Sequence, residues 1–187
     1  MLSVKNLALR RGGRVLQSHI LLDVPKGHGM CLRGPNGCGK TTLLYVLAGI
    51  LESESFTIEK VDHFFLPQEH ALLDHATVED NLWVFAKLMR EPRLLLDEDP
   101  FDIKSLLKQK VYTLSNGQKR RVSLTRLLMT TMKLWLLDEP EQGLDKYFTT
   151  ILQDVLQAHL QKGGAIILAS HTFQTQSSWE EFFFEED

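Results

Sequence analysis

Polar and apolar positions alternate at the start of the chain, as in strands with one buried face. The alternation from Leu2 to Leu9 predicts a first strand, and Arg14 to Val24 continues as one or two strands after a turn at Gly12-Gly13. Strands joined by a tight turn pair antiparallel. This part of the chain therefore predicts an antiparallel sheet at the edge of the fold.

Continuous apolar runs elsewhere predict strands that are buried on both faces. Leu134 to Leu137 and Ala165 to Ala169 are such runs, and Gly29 to Arg33 is a short apolar strand. Strands of this kind occur in the centre of parallel sheets whose faces are covered by helices. The runs predict an α/β fold with a mostly parallel central sheet.

Two further regions have weaker strand patterns. Phe56 to Glu59 and His63 to Leu66 predict two short strands. The tail WEEFFFEED is open to two interpretations: a last strand with Phe182 and Phe184 on one face, or a frayed amphipathic end.

Four segments carry apolar residues at helical spacing. The predicted helices are Lys40 to Leu51, a helix that begins at the N-cap Thr77 with Asp80 three residues later, Gly117 to Thr130, and Lys146 to Gln161. The stretch of about 70–115 is predicted as a helical subdomain within one domain that spans 1–187. Loops between its short helices are marked by Pro92, Pro100 and Asp97 to Asp99.

Composition narrows the classes of function. A chain of 187 residues is long enough for one domain with a sizeable core. The net charge of −3 and the pI near 6.2 do not favour a nucleic-acid surface, and Lys119-Arg120-Arg121 is interpreted as a solvated helix face or a nucleotide-interface contact. No run reaches the ~18 apolar residues of a membrane span, and no signal peptide is evident, so a soluble chain is expected. Cys31 and Cys38 are expected to be reduced thiols.

The strongest motif lies between a predicted strand and a predicted helix. The segment GPNGCGKTT fits the phosphate-binding loop, in which backbone N–H groups surround the β-phosphate, Lys40 neutralises phosphate charge and Thr41 reaches Mg²⁺. It predicts binding of a nucleoside triphosphate. Its candidate ligand-binding residues are Gly34, Pro35, Asn36, Gly37, Cys38, Gly39, Lys40, Thr41 and Thr42.

A second phosphate-binding element follows downstream. In LSNGQ, Ser115 and Gly117 open a helix whose N-terminus is suited to a phosphate that the first loop cannot present within one domain. Two copies of the chain are therefore expected to face each other. An Asp-Glu pair, Asp138 and Glu139, ends an apolar strand, and His171 follows another.

The order of these motifs resembles that of the ABC ATPase family, and the resemblance covers nearly the whole chain. It implies a P-loop fold, Mg-dependent ATP hydrolysis, and a head-to-tail dimer with two ATP molecules between the subunits. The antiparallel subdomain is expected to be reduced, because only 28 positions separate Lys40 from Gln68.

The resemblance also implies roles for individual residues. Asp138 organises Mg²⁺ together with Thr41, and Glu139 is the base that polarises the attacking water. Gln68 touches Mg²⁺ or the water, and His171 hydrogen-bonds the γ-phosphate. The residues that contact the partner subunit's nucleotide are Ser115, Gly117 and Gln118, and Asp145 crosses the dimer interface.

The chain departs from the family pattern at three places. Glu141-Gln142-Gly143, just before Asp145, stands where small residues are common. Asn116 stands where many members have glycine, and Arg10 or Arg11 stands where many stack an aromatic ring on adenine. A guanidinium can also stack on a base. Loose selectivity for adenine is expected.

Within the family, TLSNGQKRRVSLTRLLM, LWLLDEPEQGLD and LQKGGAIILASH are similar to the ATPases of cytochrome c maturation, also called haem exporter ATPases. This resemblance implies multi-pass membrane partners and ATP-driven release of a haem-loaded chaperone. It also implies a peripheral position on the cytoplasmic face of the inner membrane, or on the matrix side of the mitochondrial one. No direct haem binding is expected, since Cys-x-x-Cys-His is absent. Another transporter ATPase and a non-transport scaffold ATPase of cofactor assembly remain alternatives.

Overall fold

The computed structural model of the chain describes residues 1–53, 57–90 and 98–184, except for the side chains of Arg11 and Arg14. The predictions that concern Phe56, Pro92 and Asp97 lie outside these residues. In chain order the elements are β1 (Leu2–Arg11), β2 (Arg14–Val24), β3 (Gly29–Arg33), α1 (Lys40–Leu47), β4 (Thr57–Lys60), β5 (His63–Leu66), α2 (Val78–Leu88), α3 (Asn116–Met129), β6 (Leu134–Asp138), α4 (Lys146–Gln161), β7 (Ala165–Ala169) and β8 (Trp179–Phe183). Two single-turn 3₁₀ helices, Lys104–Leu106 and Val111–Thr113, precede α3.

The chain divides into two compact units. The first consists of Met1–Leu66, Met132–Pro140 and Leu156–Asp187, and the second of Pro67–Thr131 and Glu141–Val155. The first unit contains all the strands named above. The predicted helical subdomain of about 70–115 falls within the span of the second unit, and its limits stay a prediction.

A five-stranded parallel sheet forms the centre of the first unit. Its strand order is β5-β6-β7-β3-β8, and each neighbouring pair is parallel. Every residue of β6 and β7 is buried, as their apolar runs predict. Because the strands are parallel, the carboxyl ends of β3, β6 and β7 meet at one edge, where open α/β sheets bind ligands. The predicted α/β fold with a mostly parallel sheet is confirmed.

A small antiparallel sheet has the order β2-β1-β4. The hairpin between β1 and β2 turns at Gly12 and Gly13, whose φ angles of 58° and 81° suit a type I′ turn. Arg14 to Val24 is one strand with irregular register rather than two strands. The inward side chains of this sheet, together with α1, belong to the main core.

Helix α1 ends four residues earlier than its sequence pattern predicts. It stops at Leu47 instead of Leu51, because Gly49 takes a φ of 73° and the N–H of Ile50 donates to the carbonyl of Tyr45. A left-handed glycine just beyond the last turn is a common helix stop. Of the predicted buried stripe, Leu43, Leu44 and Leu47 are fully buried and Ala48 is partly buried.

Two helices of the second unit begin with reciprocal caps. The Thr77 hydroxyl accepts from the N–H of Asp80, and the Asp80 carboxylate accepts from the N–H of Thr77, as the spacing predicts. The Thr77 hydroxyl also donates to the Asp80 carboxylate at 2.6 Å, and this bond, followed by the one from the Thr77 N–H, lowers the pKa of Asp80. Ser115 and Gln118 form the same arrangement at the start of α3. The start of each helix is thus set by its own sequence.

The tail forms a strand. β8 pairs in parallel with β3 at the edge of the large sheet, and the rings of Phe182 and Phe184 meet edge to face at 5.3 Å. The strand interpretation is right, and the frayed end does not occur over the described residues.

Among those same residues, no helix combines the length and apolar character required to cross a bilayer.

Candidate nucleotide-binding and catalytic site

The loop between β3 and α1 folds around the ammonium group of Lys40. This side chain is 7% exposed, and its Nζ donates to the carbonyl oxygens of Gly34 (2.8 Å) and Pro35 (2.9 Å). A buried ammonium inside a ring of backbone can offer its charge to an anion of phosphate size. The positive charge of Lys40 therefore lies within the loop that the motif predicts.

Glycines permit the close packing of this loop. A Cβ added at Gly34 would lie 2.8 Å from the Sγ of Cys38, and one at Gly39 would lie 2.8 Å from the Cδ2 of Leu9. Gly37 and Gly39 also have φ angles of 83° and 117°, which side chains disfavour. The backbone N–H groups that precede α1 can therefore approach a phosphate closely.

Thr41 and Thr42 lie in the first turn of α1, directly after Lys40. Thr42 is buried, whereas Thr41 is partly exposed. Cys38 is partly buried with its Sγ 3.9 Å from the Nζ of Lys40, and Cys31 is buried in β3; both are reduced thiols rather than a disulfide, as expected.

The Asp-Glu pair lies at the carboxyl end of β6. Asp138 is the last residue of the strand and is 1% exposed. Glu139 follows with a φ of 45°, and its N–H donates to the carbonyl of Ala169 at 2.9 Å. A left-handed backbone costs a non-glycine residue about 1 to 2 kcal/mol, and such strain concentrates at active sites. This left-handed residue directly follows the end of β6 at Asp138.

His171 is brought to the same edge of the sheet by β7. Its Nε2 lies 3.5 Å from Oε1 of Glu139, and 43% of its side chain is exposed. The turn that carries it is closed by Ser170, whose hydroxyl accepts from the N–H groups of Thr172 (3.0 Å) and Phe173 (2.9 Å). Two residues that are 32 positions apart in the chain thus lie side by side at the carboxyl edge of the sheet.

The LSNGQ element forms a helix N-terminus in the second unit. The Gln118 side chain accepts from the N–H of Ser115 at 2.9 Å, and the Ser115 hydroxyl accepts from the N–H of Gln118 at 3.2 Å. A Cβ at Gly117 would meet the carbonyl oxygen of Gly143 at 2.9 Å, so a larger residue would displace the backbone. Asn116 is the first residue of α3 and is exposed.

Gln68 and Asp145 also lie in the second unit, where each has a local partner. The Nε2 of Gln68 donates to Oε1 of Gln142 at 3.0 Å. Oδ1 of Asp145 accepts from the N–H of Phe148 at 2.9 Å and so caps α4. Neither contact joins Gln68 or Asp145 to another predicted site residue.

Arg120 corrects one sequence-based expectation. It lies in the run interpreted as a solvated helix face or a nucleotide contact, yet it is fully buried. Its guanidinium donates to the carbonyl oxygens of Gln68 (2.7 Å), Pro67 (3.3 Å) and Gln142 (3.4 Å). The guanidinium of arginine carries five N–H donors in a rigid fork. Because three carbonyl oxygens accept from it, Arg120 can be buried without losing its hydrogen bonds. Arg120 thus holds the backbone of Gln68, a role that no local pattern revealed.

The neighbours of Arg120 make separate contacts. Lys119 pairs with Asp74 at 3.2 Å, whereas Arg121 donates to the carbonyl of Phe101 and lies over the ring of Phe148. The three basic side chains of the run therefore have contacts within the second unit rather than forming one basic patch.

His70 lies in the same unit. Burial lowers the pKa of His70, and the positive charges of Arg120, Lys119 and Arg126 lower it further.

The base-recognition candidates lie in the β1–β2 hairpin. Arg10 is exposed in β1 and pairs with Val15 of β2. Arg11 is the last residue of β1, and its side chain is not among those that the structure describes. The choice between them stays a prediction.

Comparison with known proteins identifies the family. Residues 18–142 match the profile of the ABC transporter family. The chain is 38% identical over 167 residues to the cytochrome c biogenesis ATP-binding export protein CcmA of Novosphingobium aromaticivorans, covering 89% of this chain and 86% of the relative. It is 36% identical to the protein of the same name from Paracoccus denitrificans, over 91% of this chain and 82% of the relative.

Solved structures agree with these sequence matches. An ABC transporter ATP-binding protein from Pyrococcus furiosus superposes with a TM-score of 0.84 at 26% identity, covering 98% of this chain and 96% of that one. The family match extends over two thirds of the chain and includes the phosphate-binding loop, the Ser115 helix and the Asp138-Glu139 pair. This chain belongs to the ABC transporter family and is one of its ATP-binding subunits, an ATPase similar to the CcmA proteins.

Proposed function

We propose that this ATPase hydrolyses ATP as a head-to-tail dimer. In each subunit, Lys40 and the backbone N–H groups before α1 bind the β- and γ-phosphates. Thr41 and Asp138, with Gln68, would hold Mg²⁺, which supplies charge neutralisation for the departing phosphate. A threonine hydroxyl and a buried carboxylate are oxygen ligands of the kind that Mg²⁺ prefers. The glycine-bounded loop around Lys40 fits the phosphates.

Glu139 is proposed as the general base. Its carboxylate accepts a hydrogen bond from the attacking water and orients it, while His171 donates to the γ-phosphate. The observation that carries this proposal is the 3.5 Å separation of His171 Nε2 from Glu139 Oε1 at the edge where β3 delivers the phosphate-binding loop. A base and a donor that are so close can contact the water and the phosphate of one substrate.

The Ser115 helix is proposed to complete the site of the partner subunit. Its first N–H groups carry partial positive charge, and Ser115, Gly117 and Gln118 would face the γ-phosphate that the partner binds. Asp145 would approach the partner from the start of α4. The dimer is expected only with ATP bound, since the phosphate joins the two surfaces.

The cellular role is proposed from the relatives. Their name associates them with cytochrome c biogenesis, and their similarity extends over about nine tenths of this chain. The ATPase dimer would bind multi-pass membrane subunits of the cytochrome c maturation complex. Hydrolysis would power release of a haem-loaded chaperone, with haem handled by the partners. The ATPase would lie on the cytoplasmic face of the inner membrane, or on the matrix side of the mitochondrial one.

Site variants test the catalytic proposal. Lys40→Ala is expected to abolish hydrolysis through lost nucleotide binding, whereas Glu139→Gln keeps binding and traps an ATP-bound dimer, because it preserves shape but not basicity. The exposed Lys162→Ala and Glu59→Gln are matched controls. Light scattering and nucleotide titration distinguish the outcomes, and equal loss of binding in both site variants would contradict the assigned roles.

Copurification tests the cellular proposal. The tagged chain is extracted in mild detergent from its own cells. It is expected to copurify with multi-pass membrane subunits of a complex that handles haem. Recovery of a different permease would support another transporter, and recovery of soluble cofactor-assembly proteins would support the scaffold alternative. Membrane binding without partners, resistant to a salt wash, would refute a peripheral attachment through those subunits.

A further inference from the structure

Arg33 makes an unusual set of contacts beside the phosphate-binding loop. It is the last residue of β3 and directly precedes Gly34. Its Nη1 donates to the carbonyl of Ser170 at 2.9 Å, and its Nη2 donates to the carbonyl of Phe173. Its Nε and Nη2 also donate to Oε1 of Glu181, at 3.1 Å and 2.9 Å. All three guanidinium nitrogens are engaged, and 17% of the side chain is exposed.

The two carbonyls bound by Arg33 flank His171. We call Ser170 to Phe173 the His171 turn. Within it, the Ser170 hydroxyl accepts from the N–H of Thr172 and from that of Phe173, which closes the turn from inside. Arg33 binds the first and last carbonyls of the same turn from outside. A planar guanidinium fixes two acceptors at a set spacing, which a flexible ammonium does not do.

Glu181 fixes the guanidinium in turn. This residue of β8 pairs with Arg33 and also accepts from the hydroxyl of Thr175 at 3.2 Å. Charge-assisted hydrogen bonds of this geometry are stronger than neutral ones. The edge strand, the end of β3 and the His171 turn are thereby connected through one side chain.

We propose that Arg33 is a positioning residue for His171, with Glu181 holding Arg33 in place. Arg33 acts through the His171 turn and keeps the imidazole where it meets Glu139 and the γ-phosphate. This inference rests on the proposed role of His171 in hydrolysis. It assigns no contact between Arg33 and the nucleotide.

A mutant cycle on the full-length chain tests the inference. Arg33→Met keeps an unbranched apolar stem but removes the guanidinium and its donors, and it is expected to lower kcat about tenfold while the Kd for ATP changes less than about twofold. Arg33→Lys should recover part of that loss, and Glu181→Gln should lower kcat by about threefold. Glu180→Gln is the matched control, because Glu180 is exposed and points to the opposite face of β8.

The decisive readout is the combination with His171→Ala. If Arg33 acts only through His171, then adding Arg33→Met to His171→Ala lowers kcat no further, whereas independent effects multiply. Multiplying effects, or an unchanged kcat in Arg33→Met, would overturn the inference and leave the His171 assignment intact. A wild-type rate in His171→Ala would overturn that assignment and the inference with it. If Arg33→Met does not fold, the Glu181→Gln and His171→Ala cycle makes the same decision.

Discussion

Acidification is predicted to destabilise the protein through His159. This residue lies in the last turn of α4, where its ring stacks on Trp135 with centroids 3.6 Å apart and planes 12° apart. Its Nε2 donates to the carbonyl of Lys133 at 3.1 Å. Burial lowers the pKa of His159 to about 4; the hydrogen bond to Lys133 opposes the shift, and the charges of Lys133 and Lys162 add to it.

The sign and the size of the effect follow from linkage. The folded state disfavours the protonated ring, so above pH 6.5 the group is neutral in both states and contributes no pH dependence. As the pH falls from about 6.5 through about 4, the unfolded chain binds the proton first and stability is lost. The difference from the ordinary value of 6.5 corresponds to a ceiling of about 3 kcal/mol. Because the ring keeps some contact with water, which screens its charge, we expect about 1 to 2 kcal/mol.

Urea unfolding of the wild type and of His159→Phe at several pH values measures this loss. Phenylalanine keeps the stacking on Trp135 but does not titrate, and other titrating groups are shared by both proteins. Between about pH 7 and pH 4.5, the wild type should lose about 1 kcal/mol more of its unfolding free energy than the variant. Parallel curves, or an NMR titration of His159 near its ordinary pKa, would refute the reasoning.

Three further predictions concern the site. Glu139→Asn should abolish hydrolysis yet raise the unfolding free energy by about 1 kcal/mol relative to Glu139→Gln, because asparagine tolerates a positive φ; equal stability of the two variants would argue against strain there. Arg120→Met should destabilise by about 3 kcal/mol in thermal unfolding, because the buried backbone carbonyls that Arg120 binds, that of Gln68 among them, lose their donor; a loss no larger than that of Arg121→Met would contradict this role. GTP should be hydrolysed with kcat/KM within about tenfold of that for ATP, since Arg10 or Arg11 replaces the aromatic residue; a much stronger preference for ATP would reveal an adenine contact.

Several elements were predictable because their causes are local. The alternation in β1 and β2 and the apolar runs of β6 and β7 indicate how many faces of each strand are buried. The caps at Thr77 and Ser115 depend on residues three positions apart, so their helices begin where the sequence predicts. The phosphate-binding loop is equally local.

Other features depended on partners that lie far away in the chain. The basic run around Arg120 predicts a surface residue. In the structure Arg120 is buried, and its guanidinium donates to carbonyl oxygens of residues more than 50 positions away in the chain. The left-handed backbone of Glu139 is not suggested by its residue type and is seen only in the folded chain, where its N–H donates to the carbonyl of Ala169 on β7. The early end of α1 is the opposite case: Gly49 was a local signal that the apolar pattern obscured.

The amino-acid sequence by itself determined the parallel sheet, the phosphate-binding loop and the order of motifs that resembles the ABC ATPases. Only the tertiary structure brought His171 within 3.5 Å of Glu139 and joined Arg33 to Glu181, which lie 148 positions apart. The physical reason is that strand periodicity, glycine turns and helix caps arise from neighbouring residues. The position of a catalytic side chain depends instead on which strands lie side by side and which donors reach the same carbonyl.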